Sequence, residues 1–347
     1  MNTNIAAIRQ PSDLMSMHFI TAFAGDSINT SPLEGGNFIF DPNMDPIEQA
    51  KAVLSHYGVD TPDDISSGKF KMPDGLSDEQ KYQWILNSEK LANLEFKKTT
   101  DAFYNARASL PQDVIEDGRS HITGIFDLVG NVNKNYQQIF GEITKSATEY
   151  MKDFNTTLGK LSSAMGVGKD GKISYDKDKF LNNFYGGVGK YVKTAGFTAA
   201  SNKELKINKN NVQDYTYPMT SISLDNIDPE VAKSMVTFYE KKLEDQGFFV
   251  KENNGKIDIY PDVTPVLAAF RTAKTVSNTT TSPVDILSQA FQSMQTALDS
   301  HKNAVNSSTS RLLETFRQDN SHFETLTQLL IQLLKDLAQY NTGFVNT

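Results

Sequence analysis

Residues 282–340 read SPVDILSQAFQSMQTALDSHKNAVNSSTSRLLETFRQDNSHFETLTQLLIQLLKDLAQY, with no glycine and a single proline at the second position. Ser282, Pro283 and Asp285 spell a helix start: a capping hydroxyl, a proline at the first helical position and a carboxylate one turn in. Apolar residues then recur at spacings of three and four, at Leu287, Phe291, Met294, Leu298, Val305, Leu312, Phe316, Phe323, Leu326, Leu330, Leu333 and Leu337. The stretch predicts one helix over 282–340, about 85 Å long at ~1.5 Å per residue. Globular helices average ~11–12 residues, so one of this length needs a partner of similar length to cover its apolar stripe.

That partner lies far upstream. From Ile122 the apolar positions run Ile125, Val129, Val132, Tyr136, Ile139, Ile143, Ala147, Tyr150, Phe154, Leu158, Leu161 and Met165, a heptad-like seam that relaxes to steps of four near its end. Two such helices, over 120–165 and 282–340, bury each other as a parallel or antiparallel coiled coil. Its core is expected to hold Ile122, Ile125, Val129, Val132, Tyr136, Ile139 and Ile143 on one side and Leu298, Val305, Leu312 and Phe323 on the other. Residues 166–281 then form a domain inserted at one end of a rod. That design is uncommon among enzymes.

Composition narrows the class. The chain of 347 residues has 38% hydrophobic and 22% charged residues and a net charge of −8, which fits two or three structural units. Residues 1–120 carry 18 Asp/Glu against 10 Lys/Arg, whereas the remainder has 24 of each, so the acidic excess belongs to the N-terminal third. No basic patch with interleaved aromatics occurs, and nucleic acid is not an expected partner. No apolar run approaches the ~20 residues that cross a bilayer. The first twelve residues carry one basic residue and no apolar core, unlike a signal peptide, and 1–40 reads as a disordered leader. Cysteine is absent, which excludes disulfides, thiolate metal sites and cysteine nucleophiles.

Between leader and rod, 41–119 reads as a helical hairpin. Asp45, Pro46 and Glu48 open a short helix that stops at Gly58, and Ser77 with Gln80 forms a capping box for a longer one ending before Pro111. The hairpin's apolar stripe is expected to cover the coiled coil. Within 166–281, Gly166 to Gly171 break the first long helix, a helix follows over 178–192, and strands are expected over 205–212 and 216–224. Asp228-Pro229 starts a further helix that closes at Gly247, and Asn253-Asn254-Gly255 joins two strands as a hairpin. Residues 272–281 read as a linker and 341–347 as a tail. The fold class is mainly α with a small mixed α/β insertion.

Chemistry finds little support. The five histidines, His18, His56, His121, His301 and His322, show no metal spacing, and His301 reads as a packing residue of the seam. Asp170, Asp176 and Asp178 lack calcium-loop spacing, Gly186-Gly187 with Gly189 follows no strand, and no Gly-x-Ser-x-Gly occurs. No reaction, metal or cofactor is implied. The stronger signal is the end of the last helix. There Leu326, Leu330, Leu333 and Leu337 form one stripe while Leu329, Ile331 and Leu334 add neighbouring directions. A two-helix rod cannot bury so broad a face. Either the hairpin or the inserted domain covers it, or it is an assembly surface.

The combination is similar to the type III secretion needle-tip proteins, the IpaD, SipD and BipD group. The resemblance covers about 120–340 and rests on Asn135-Tyr136, Phe140, Tyr150, Lys169-Asp170-Gly171 and Ile259-Tyr260-Pro261-Asp262. Its most specific segment is Asp319-Asn320-Ser321-His322-Phe323-Glu324 with Leu326. The resemblance implies a non-enzymatic virulence protein that is cytoplasmic before export and is then secreted through the apparatus itself to sit at the needle tip. Its implied partners are the needle subunit, the two hydrophobic translocators, copies of itself in a pentameric ring and, for some members, bile salts. It also implies an N-terminal hairpin that acts as an intramolecular chaperone. The competing class is an α-helical pore-forming toxin component, which needs a longer apolar tongue than Phe248-Phe249-Val250 provides.

Overall fold

The computed structural model describes residues 44–56, 70–109, 119–225, 227, 229–277, 279 and 281–345. The leader expected over 1–40, the stop at Gly58, most of the loop before Gly75 and the last two residues of the tail lie outside these residues.

The segment expected to form a hairpin holds α1 (Pro46–His56) and α2 (Asp78–Ala108), of which α1 packs on the first and the last long helix. Asp45 caps α1 by accepting the Ile47 amide at 2.9 Å. Ser77 and Gln80 close the capping box of α2, with the Ser77 amide donating to Gln80 Oε1 at 2.9 Å. The first long helix comprises α3 (Arg119–Val132), a five-residue π segment (Asn133–Gln137), α4 (Gln138–Gly159) and a 3-10 turn (Lys160–Ala164).

The inserted domain begins with a hairpin of β1 (Met165–Val167) and β2 (Ile173–Tyr175). It continues through α5 (Lys177–Val188), α6 (Thr194–Asn202), the single turn α7 (Val212–Tyr215), β3 (Thr220–Ser223) and α8 (Pro229–Leu243). Then come β4 (Phe248–Asn253), β5 (Lys256–Pro261), α9 (Thr264–Thr275), β6 (Val284–Ile286) and the long helix α10 (Ser288–Val345). One antiparallel sheet has the order β3-β5-β4, in which Ile222 faces Ile257 and Val250 faces Ile259. Its β4–β5 turn places Asn254 and Gly255 at φ of 49° and 72°, the left-handed pair that a two-residue hairpin loop requires.

Three expectations are corrected here, the first being the linker over 272–281, since α9 runs on to Thr275. Ser282-Pro283 does not start the long helix. Val284–Ile286 instead pairs antiparallel with β2, Tyr175 facing Val284 and Ile173 facing Ile286. The alternation Val284, Asp285, Ile286 satisfies a strand once β2 offers an open edge. The Ser282 hydroxyl serves α5, accepting from the Asp178 amide at 3.2 Å and donating to Asp176 Oδ1 at 2.9 Å. The sheet β1-β2-β6 thus ties the chain's entry into the insert to its exit. Of the strands expected over 205–212 and 216–224, only β3 forms. The Asn-rich stretch before it closes on itself, with Asn211 Oδ1 accepting the Asn208 amide at 2.9 Å.

The rod has three strands rather than two. α4 runs antiparallel to α10, as Phe140 meets Phe316 at 5.4 Å between ring centroids and Asn155 donates to Asn306 Oδ1 at 2.8 Å. α2 runs parallel to α10: Asn303 donates to Asp78 at 3.1 Å, Phe96 packs on Phe316 at 6.2 Å and Phe103 on Phe323 at 6.1 Å. α2 in turn lies antiparallel to the first long helix, with Asn133 donating to Thr100 at 3.2 Å and Phe103 against Phe126 at 5.5 Å. Two cores result. Ile125, Val129, Val132, Tyr136, Ile139 and Ile143 share the first with Leu312 and Phe323. Leu298 and Val305 belong to the second, with Tyr150, Met151 and Phe154 of α4. The side chain of Ile122 lies outside the described residues.

Phe316 sits where all three helices meet, fully buried between Phe96 and Phe140. Phe316→Ala is expected to cost about 3–5 kcal/mol in guanidinium unfolding. Leu91→Ala, on the outer face of α2 where the side chain is 50% exposed, should stay within about 0.5 kcal/mol. Equal losses for both would contradict the three-helix seam.

Candidate functional site

The described residues hold no group of three His, Cys, Asp or Glu side chains placed to bind a metal ion. Asp176 is the N-cap of α5, accepting the Lys179 amide at 3.0 Å, and Asp170 lies in the β1–β2 turn with φ of 52°. Gly187 has a packing reason: a Cβ there would stand 1.9 Å from Thr157 Oγ1, so only glycine lets α5 approach α4. His301 is half-buried, and burial lowers its pKa. No described helix is long and apolar enough to cross a membrane.

The broad apolar end of α10 is used inside the molecule. Leu326 and Leu330 are fully buried in the first core, and Leu329, Leu333 and Leu334 pack partly buried against it. Reading Leu326 and Leu330 as an exposed assembly surface is therefore corrected. The same core takes Ile47, Ala50, Val53 and Leu54 from α1, Phe103 from α2 and Val129 from α3, which wrap this end. Ile331 is half-buried, and the side chain of Leu337 lies outside the described residues. The surplus hydrophobicity that a two-helix rod could not bury is taken up by the N-terminal hairpin.

Beside this end lies an ionic cluster joining three parts of the fold. Lys242, from the last turn of α8, places its Nζ 2.9 Å from Asp319 Oδ1 on α10 and 3.2 Å from Asp45 Oδ2 at the start of α1. Its ammonium also lies 5.4 Å from the centroid of the Phe238 ring. One turn earlier Tyr239, fully buried, donates to the Asn135 carbonyl at 3.0 Å and lies 3.3 Å from that of Tyr136, at the π segment. A π turn loosens the regular backbone ladder, which leaves carbonyls for such a donor. The Asp319 side chain is only 5% exposed, and its Oδ2 meets no hydrogen-bond partner. The neighbouring amide of Gln137 is likewise buried without one at ordinary geometry.

Burial pushes the Asp319 carboxyl up to about 6, against the downward pull of Lys242. Burial also opposes the charge on Lys242, but Asp319 and Asp45 outweigh it and hold its pKa above the ordinary value. Glu48 and Lys51 of α1, themselves 2.8 Å apart, and His322 of α10 complete the charged surroundings. Burial, with Lys51 next, lowers the His322 pKa. In the sequence Asp319 stands on the apolar stripe, three residues after Phe316 and four before Phe323. That misplaced charge was the available signal. Its partners, nearly eighty residues and more away, carry none.

No protein-family model matches the chain, and no curated protein matches it. Among solved structures it is similar to "BipD of Burkholderia Pseudomallei", with a TM-score of 0.48 and 13% identity over 87% of this chain and 100% of that one. A second structure, described as BipD, "an invasion protein associated with the type-III secretion system of Burkholderia pseudomallei", gives a TM-score of 0.47 and 14% identity over 87% and 98%. The "Pathogenicity island 1 effector protein from Chromobacterium violaceum" gives 0.44 and 13% over 85% and 91%.

The raised pKa of Asp319 has a definite sign. A carboxyl at about 6 when folded and 3.8 in the reference state adds stability that is full below about pH 3.8 and is lost as pH rises through 6. His322 acts oppositely, adding stability above its ordinary 6.5 that is lost as pH falls through its lowered value. Asp319→Asn removes only the first contribution. The unfolding free energy of that variant minus that of the natural chain should therefore rise between pH 4 and pH 7, by at most about 3 kcal/mol. A difference that stays flat with pH would contradict the burial of an ionising Asp319.

Proposed function

We propose that this chain is the needle-tip protein of a type III secretion system. It caps the extracellular needle, restrains secretion before host contact and scaffolds insertion of the hydrophobic translocators into the host membrane. The observation that carries the reading is the placement of α2, parallel along α10 from Asp78 beside Asn303 to Phe103 against Phe323. A separate, acidic N-terminal hairpin covers the most apolar face of a long rod. Such a cover is what a protein that must travel singly and then assemble requires, because an open face of this size would associate prematurely. The motif residues Asp319 to Leu326, on which the resemblance to the tip family rests, lie under and beside that cover.

In this reading the chain waits in the cytoplasm, leaves through the apparatus and joins copies of itself as a ring at the tip. The hairpin shields the rod until then. Its partners are the needle subunit and the translocators, and no step in this role is a chemical reaction.

The test is binding of the purified full chain to the needle subunit, together with vesicle leakage by the chain alone. Binding without leakage is expected, whereas leakage without binding would contradict the reading. Ile331, half-buried and outside the packed core, separates assembly from folding. Ile331→Asp is expected to change unfolding by about 1.5 kcal/mol or less while weakening needle binding about tenfold or more. Unchanged binding would remove this end of α10 from the assembly contact.

A further inference from the structure

The ionic cluster joins α1, α8 and α10, which also share the first core. α1 has 11 residues, too few to persist alone in water, so its helicity depends on docking. Its docked face is mainly apolar, through Ile47, Ala50, Val53 and Leu54, with Gln49 buried beside them. One polar attachment is Asp45, whose Oδ1 caps the helix at the Ile47 amide while Oδ2 meets Lys242 at 3.2 Å. One carboxylate thus both starts α1 and fastens it to α8. α8 in turn is seated on the rod by Lys242 at Asp319 and by Tyr239 at the π-segment carbonyls.

We propose that Lys242 couples docking of the N-terminal helix α1 to seating of the inserted domain on the rod, so that displacing either one loosens the other. If α8 withdraws, Lys242 leaves with it, Asp45 loses its partner and the buried Asp319 carboxylate loses its counter-charge. If α1 undocks, water reaches a pair whose side chains are now only 20% and 5% exposed, and the attraction that holds α8 weakens. Coupling of this kind is reciprocal by thermodynamic necessity. A partner that grips the inserted domain would thereby loosen the first helix of the hairpin without touching it. This holds whether or not the chain acts at a secretion needle, because it rests only on the contacts among α1, α8, α10 and the π segment.

Hydrogen–deuterium exchange of the full chain tests it. Tyr239→Phe removes the hydrogen bonds of α8 to the π-segment carbonyls, leaves Phe238 against the Tyr136 ring, and touches nothing on α1. It is expected to raise exchange in 229–243 and, through Lys242, also in 46–56. Asp45→Asn keeps a capping oxygen but removes the carboxylate that pairs with Lys242, and should raise exchange in both segments as well. Lys242→Met keeps the aliphatic stem and should raise both by about tenfold or more, as loss of charged hydrogen bonds does. Residues 264–275 serve as an internal reference that none of the three should change. Should Lys242→Met fail to fold, the other two decide the matter, since neither leaves a buried charge without its hydrogen-bond partner. Loosening confined to 229–243 in Tyr239→Phe, or to 46–56 in Asp45→Asn, would overturn the proposal.

Discussion

A helix of 58 residues with an apolar stripe along its length cannot stand in water by itself, and the rest of the molecule is arranged around covering it. α4 covers one side antiparallel and α2 covers another in parallel, with Phe316 held between Phe96 and Phe140. Where α10 widens to a broader apolar face, α1 and α3 join in and bury Leu326 and Leu330. The inserted domain closes the opposite part of the rod through the second core, in which Leu298 and Val305 pack with Tyr150 and Phe154. α10 therefore links both cores, and the molecule needs no disulfide to hold parts distant in sequence together.

The seam is not uniformly apolar. Asn155 bonds Asn306 across α4 and α10, yet one side-chain atom of each remains buried without a partner. Asn320 donates to the Ala92 carbonyl at 3.2 Å, while its own side-chain oxygen stays unpaired. Asp319 and Gln137 repeat the pattern at the π segment. Buried polar groups of this kind specify register at a cost in stability. Their concentration along α10 makes its contacts with α2 and α8 specific in alignment but less strong than a fully apolar seam would be.

Much of the fold was legible from residue spacing alone. The periodicity of Ile125 to Ile143 and of Leu298 to Phe323 identified two long helices and the insertion between them, because only a helix sustains a 3.6-residue period over so many turns. The Ser77–Gln80 box and the Asn254-Gly255 turn were read from local chemistry and formed as such. What failed was non-local. Ser282-Pro283 carries a good helix-start signal, but an open strand edge at Ile173–Tyr175 overrode it. The leucines of the distal end showed that a broad face existed but not what covers it, since that depends on the parallel placement of α2. Of the Lys242 cluster only Asp319, a charge on the apolar stripe, left a signal in the sequence; Lys242 and Asp45 join it only when α1, α8 and α10 converge.

The proposed role requires α2 to be a cover that lies parallel to α10 and lifts during assembly. Electron–electron distance measurement tests this directly in a chain without native cysteines, using one spin-label pair at Glu79 and Lys302 and another at Tyr104 and Glu324. Both pairs should be short in the isolated chain, because Asp78 sits beside Asn303 and Phe103 against Phe323. At least one should lengthen when the chain joins the needle subunit. A long distance in either pair of the isolated chain would contradict the parallel placement, and two short distances in chains fully bound to the needle subunit would contradict the role of the hairpin as a removable cover.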